Sequence, residues 1–177
     1  VRGDTFLFLE NDWELVENAA VTRSRLDRSL DLVRSGGAQV VKLRHRVRHG
    51  EPLFPARCRN DEESAPPFLL DSMHWLDDPA ARFPGRITKR RLDGEDWFLS
   101  AARFSNFTNN PCLYTTAFLR ERVLPHATGP HIALEHDLNA WWHEEDRIVV
   151  AQGPGLFMHS RIDRGKPGLR WLRTLAG

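Results

Sequence analysis

The chain has 177 residues, 41% hydrophobic and 28% charged, enough apolar material for one compact domain and unlike the composition of a disordered segment. Its formal charge is only +1, with 22 Arg and 3 Lys among 25 basic residues, so no strong overall field selects a polyanion. Two cysteines, Cys58 and Cys112, are too few for a disulfide framework, and no apolar run approaches the roughly 18 residues of a membrane span.

The Arg bias suits phosphate recognition, and it equally suits a GC-rich genome. No signal peptide is visible, so a cytoplasmic protein is expected. The sequence starts at Val1 and enters an apolar run within five residues. It reads as a single domain over 1–177, cut from or processed out of a longer chain.

Residues 5–9 read as a short buried strand, being apolar without alternation. The spacing of Leu15, Val16, Ala19, Ala20, Leu26, Leu30 and Val33 predicts a helix over 14–35, stopped by Gly36-Gly37. Residues 38–48, AQVVKLRHRVR, read as a strand leaving the core, apolar first and then alternating with Arg. The Pro- and charge-rich segment 50–67 reads as an exposed loop. Residues 68–99 are mixed, with Trp75 and Trp97 packed and a strand near 96–101. In FSNFTNNPCLYTTAFLRERVLP the Asn-rich half reads as a loop. Thr115 or Thr116 then caps a helix over about 117–124, which Pro125 closes. A second helix is expected over about 135–145, a strand at 147–151, a QGPG turn, and an extended segment LFMHSRI. Strands alternating with helices predict an α/β layered domain, a mixed sheet flanked by helices.

Three stretches carry candidate chemistry. Glu10 and Asp12 end the first strand as acid-x-acid. Such a pair repels itself unless a cation or Arg neutralises it, and its oxygens suit Mg²⁺ or Mn²⁺. It suits a helix N-terminus as well, with Asp12 as cap. Glu135 and Asp137 open the second predicted helix, where a carboxylate serves either as general base or as capping acid. His136, His143 and Glu144 lack the His-Glu-x-x-His order of a zinc helix. His159 precedes Arg161 and Arg164: an imidazole completes a metal site and guanidinium groups hold diphosphate oxygens, although a lone His beside a strand is commonly structural.

Taken in order, these stretches resemble the nucleotide-sugar glycosyltransferases of the GT-A fold, family-two-like. FLFLENDWEL is similar to their apolar strand entering the Asp-x-Asp motif, with Glu10-Asn11-Asp12 as a variant. LEHDLNAWW resembles their Glu-Asp-x-Asp-Leu helix start, and FMHSRIDR their closing His segment. SNFTNNPCLY (105–114) is similar to an acceptor-side loop. The resemblance implies a metal-dependent, inverting transferase, with Mn²⁺ or Mg²⁺ held by Glu10, Asp12 and His159. Arg161 and Arg164 then serve the nucleotide-diphosphate sugar donor. Glu135 takes the base position toward a carbohydrate or other hydroxyl acceptor, with Asp137 beside it. Trp75, Trp141 or Trp142 would stack on a sugar ring or simply pack.

The chain departs from the family with Glu at positions 10 and 135, and with no nucleotide-binding βαβ half before the acid-x-acid strand. Three alternatives stand beside this reading. One is a nucleic-acid-binding module built on KLRHRVRH (42–49) and RITKRR (86–91), although the near-zero charge and the runs DEES and HEED oppose it. The second is a metal-dependent phosphoesterase, and the third an inactive relative that only binds the nucleotide sugar.

Overall fold

The computed structural model describes residues 3–50, 78–127 and 134–160. The expected loop 50–67 (beyond Gly50), Trp75, Cys58, Arg161 and Arg164 lie outside the described residues. Seven strands form one mixed sheet: β1 (Thr5–Phe8), β2 (Trp13–Leu15), β3 (Val40–Arg44), β4 (Ile87–Leu92), β5 (Glu95–Ala101), β6 (Cys112–Thr115) and β7 (Val149–His159). The order is β1-β6-β3-β7-β5-β4, with β2 paired to the far end of β7. Among the described strands only β3 and β7 pair in parallel and the other strand pairs are antiparallel, with one isolated parallel bridge between Gly50 and His159.

Side-chain alternation divides the sheet between two cores. On one face Val41, Leu43, Trp97, Leu99, Leu113 and Ala151 meet Leu32 and Val33 of helix α1 (Ala19–Arg34). On the other, Val40, Phe98, Cys112, Tyr114 and Val150 meet Phe118, Val123, Leu138 and Trp142. The second set comes from α3 (Thr116–Phe118), its continuation to His126, and α4 (Leu134–Trp142); a short α2 (Pro79–Arg82) precedes β4. The result is the expected α/β layering, with helices on both faces.

Local signals placed the helix ends. Asn18 caps α1, its Oδ1 accepting from Val21 N at 3.0 Å, and Gly36 ends it with a φ of +74°. Thr115 caps α3, accepting from Phe118 N at 3.1 Å. The helix expected from residue 14 nevertheless starts only at Ala19. Trp13–Leu15 is a strand instead, because Trp13, Glu14 and Leu15 pair with His159, Met158 and Phe157.

Three further expectations are corrected. The strand at 5–9 is an edge strand, and Leu7 and Leu9 are 39% and 45% exposed, because only β6 pairs with it. The strand from residue 40 does not leave the core: all five residues of β3 are buried, Lys42 and Arg44 included. Its central place encloses both long side chains, with Lys42 Nζ on Asn106 O at 3.3 Å and Arg44 Nε on His49 O at 3.0 Å. Lys42, Arg44 and His45 therefore do not form an exposed basic stripe.

The QGPG segment is not a turn but the middle of β7. Gly155, at φ +81°, passes so close to β3 that a Cβ would lie 2.1 Å from Arg44 O. Here the β3–β7 register shifts by a bulge. A hairpin also fills part of the mixed region: Asp93 and Gly94, at φ 50° and 79°, join β4 to β5. Among the described residues no helix is long and apolar enough to cross a membrane.

Candidate functional site

β1 runs out at Phe8, and Phe6 and Phe8 pack on the α4-side core. The chain crosses through Glu10-Asn11-Asp12 and re-enters the sheet at Trp13, opposite His159. This crossing brings the acid-x-acid stretch to the last residue of β7. His159 Nε2 lies 3.0 Å from Asp12 Oδ2, and Ser160 N donates to Asp12 O at 2.7 Å. The imidazole is 5% exposed and sits against the Trp13 ring, centroids 4.8 Å apart. The Arg44 guanidinium lies 5.3 Å from the Trp13 centroid, so one indole meets both side chains. His159 N–H donates to His49 O, fixing the main chain beneath the ring.

Glu135 arrives on the first turn of α4. Its Oε1 accepts from the main-chain N–H of Asn109 at 2.5 Å. Asn139, one turn along the helix, holds the two segments together. Its Oδ1 accepts from Phe107 N at 2.7 Å, while its Nδ2 donates to Phe107 O at 3.2 Å and to Glu135 O at 2.5 Å. Asp137 takes no part: two positions along a helix is over half a turn, so it leaves on another face.

Glu10 registers the whole assembly. Partial burial, then the charges of Asp12 and Glu135, raise its carboxyl above the ordinary value, while a hydrogen bond from the Asn109 side chain and the nearby His159 pull it down. Four of the predicted residues, Glu10, Asp12, Glu135 and His159, are thus neighbours although they span 150 positions. Among the described residues no Arg or Lys pairs with the three carboxylates.

Five buried side-chain N or O atoms have no hydrogen-bond partner among the described residues: Asp12 Oδ1, Trp13 Nε1, Thr108 Oγ1, Asn109 Oδ1 and Trp97 Nε1. Four of them belong to Asp12, Asn109 and their immediate neighbours. A buried polar group without a partner costs about 1–3 kcal/mol, so their concentration here marks a place built for something other than the fold alone.

A hard divalent cation suits this donor set. Mg²⁺-type sites typically use one or two carboxylates and leave other positions to substrate phosphates. Asp12 Oδ1 is such an oxygen, and Glu10 is a second carboxylate with no Arg or Lys ion pair among the described residues. Among the described residues no three His, Cys, Asp or Glu side chains form a ligand group by themselves. Asp12 and His159 meet directly, with Glu10 beside them.

Asn109, Asn139 and Trp13 were missed as site residues. Asn139 had a legible signal, since it stands four residues after Glu135 on the same helix face. Trp141 and Trp142 pack rather than line an open site. Trp142 is 1% exposed with Nε1 on Ser105 Oγ, and Trp141 stacks on His126 with centroids 4.2 Å apart. No family model, curated protein or solved structure matches the chain.

Proposed function

We propose that the chain carries the metal and acceptor side of a GT-A-like glycosyltransferase, moving a sugar from a nucleotide-diphosphate donor to an acceptor hydroxyl with inversion. The observation that supports it is the approach of Glu10, Asp12, Glu135 and His159, whose carboxylates have no Arg or Lys partner among the described residues. The resemblance in sequence order names these four residues, and the fold brings the four to one place.

Asp12 and Glu10 would hold Mn²⁺ or Mg²⁺, with His159 closing the site. Bound there, the ion supplies Lewis-acid neutralisation of the departing diphosphate. Glu135 is the base. With Oε1 engaged by the Asn109 N–H, its other oxygen is left to take the acceptor proton as the hydroxyl attacks the sugar carbon opposite the leaving group. Asn139 positions that carboxylate by tying the turn that carries it to Phe107. Trp13 and His49 O order His159. Arg161 and Arg164, outside the described residues, remain the donor-phosphate candidates.

Calorimetry on the native full-length chain tests this, titrating a panel of nucleotide-diphosphate sugars with and without Mn²⁺. Wild type is expected to bind at least one of them only with metal, and Asp12→Ala to lose that binding. Metal-independent binding, or no binding by wild type, overturns the transferase reading.

A further inference from the structure

We propose that His45 is an acid-sensitive latch: its neutral imidazole clasps the turn 47–49 onto the sheet, and protonation at Nδ1 releases that turn together with its main-chain hold on His159. The latch needs neither the metal nor the sugar donor, so it stands apart from the transferase reading.

His45 follows the last residue of β3 and is 6% exposed. Its Nδ1 accepts two main-chain N–H groups, from Val47 at 3.1 Å and from Arg48 at 2.8 Å. Its Nε2 lies 2.8 Å from Glu17 Oε1 and donates to it. Both ring nitrogens are committed, and only the tautomer with its proton on Nε2 fits. A proton added at Nδ1 sets a third N–H against two others. Two hydrogen bonds are then lost and three donors face one another, so the turn must move away.

Charge acts in the same direction. Among the described residues the imidazole is faced by Glu17 ahead of α1, Arg25 on α1 and Arg48 on the turn. Glu95 of β5 lies behind Arg25 at 2.8 Å. β7 meets His45 through its main chain, Phe157 O accepting from His45 N at 2.8 Å. Two carboxylates already balance two guanidinium groups, and a third cation tips the cluster positive. Burial, aided by Arg25 and Arg48, outweighs the pull of Glu17 and holds the imidazole below its ordinary value of 6.5.

Polar bonds hold the turn. Val47 is 81% exposed and gives it no buried apolar anchor. Arg46 fixes the near end, with its N–H on Pro154 O at 2.9 Å and its guanidinium over the Phe98 ring. Past Arg46, Arg48 Nη2 reaches Glu17 Oε1 at 3.0 Å, and His49 O accepts from Arg44 Nε at 3.0 Å and from His159 N at 3.2 Å. Gly50 then bridges His159 in parallel, so closely that a Cβ would lie 2.0 Å from His159 O. The turn thus flanks the His159 main chain on one side while β2 flanks it on the other. Release frees the first side alone.

Amide hydrogen exchange followed by NMR on the native full-length chain tests the latch, each rate being corrected for the intrinsic effect of pH. The latched and open turns differ by one proton, which the open form takes up near the ordinary value of 6.5. Protection of the Val47 and Arg48 N–H groups is expected to fall by up to about tenfold per pH unit from about pH 6.5 downward, and that of the His159 N–H to fall with them. The Leu43 N–H, on Pro111 O, reports global unfolding and should keep its protection. His45→Asn supplies a second arm. Its side-chain oxygen still accepts from the N–H groups of the following turn and takes no proton, so the fall should vanish. The proposal is overturned if Val47 and Arg48 stay protected while His45 of the wild type titrates, or if Leu43 loses protection in step with them. A fall that persists in His45→Asn overturns it as well, since another group then drives the opening. So does a His159 N–H that stays protected when the turn opens. The wild-type comparison with Leu43 stands without the variant.

Discussion

Two charged clusters lie within this one small sheet, and they are built on opposite terms. Beside α1, Glu17 Oε1 receives Arg25 Nη1 at 3.0 Å, Arg48 Nη2 at 3.0 Å and His45 Nε2 at 2.8 Å. Arg25 goes on to Glu95 at 2.8 Å and to Gly155 O at 2.8 Å. His45 Nδ1 accepts from the N–H groups of Val47 and Arg48, so its proton is on Nε2, donated to Glu17. Two carboxylates face two guanidinium groups around a neutral imidazole. Beside α4, three carboxylates converge with no basic side chain but His159 against them among the described residues, and the Asp12 and Asn109 Oδ1 atoms have no hydrogen-bond partner there. The first arrangement satisfies the fold. The second leaves electrostatic energy unspent, which is the condition for binding a cation.

The largest expected effect lies in the balanced cluster. Arg25→Met takes the guanidinium from Glu95 and one of three partners from Glu17, and should destabilise the protein by about 2 kcal/mol in denaturant unfolding, because charge-assisted hydrogen bonds of a partly buried network are lost. Mn²⁺ binding should survive that substitution wherever the protein stays folded. A loss below about 1 kcal/mol would show that water screens the network and that the contrast is overdrawn.

Acid should distinguish the clusters next. Burial, seconded by Arg25 and Arg48, holds the His45 imidazole below its ordinary value of 6.5 against the pull of Glu17. Its neutral form is favoured in the fold, so its contribution is present above pH 6.5 and is lost as pH falls through the lowered value. Unfolding free energy measured from pH 7.5 downward should decline in that range, and His45→Gln should flatten the decline. Glu17, held below 4.5 by His45, Arg48 and Arg25 despite its desolvation, adds a further loss as pH falls below 4.5.

Glu10 has the opposite sign and the smallest effect. Its raised carboxyl contributes stability that is complete below pH 4.5 and disappears as pH rises through the folded value. Glu10→Gln should therefore leave stability at neutral pH unchanged or raise it by no more than about 0.5 kcal/mol, since much of the residue is in water. The same variant should weaken Mn²⁺ binding. A variant that both destabilises the protein and keeps its metal affinity would reverse the roles assigned to the two clusters.

Much of the site was legible and much of its support was not. Glu10, Asp12, Glu135 and His159 announce themselves as acids and an imidazole at the ends of elements. The ties that align them do not: Asn109 and Asn139 look like loop and helix surface residues until Phe107 and Glu135 are seen opposite them. Trp13 read as the prelude to a helix and is instead the strand residue against which His159 stacks. Asp93-Gly94 carried a hairpin signal that the mixed character of its surroundings concealed.

The sequence by itself determined the features whose causes are local. Asn18 and Thr115 cap helices with their own side chains, Gly36 takes a left-handed conformation that ends α1, and apolar periodicity lays down its buried stripe. Only the tertiary structure decided which strand has two neighbours and which has one. The run Phe6–Leu9 has the pattern of an interior strand and lies at the edge, while Lys42 and Arg44 have the pattern of a surface and lie inside. Side-chain alternation depends on a residue's own backbone. Burial depends on which distant strands pair beside it, and no residue of β1 or β3 encodes that neighbour alone.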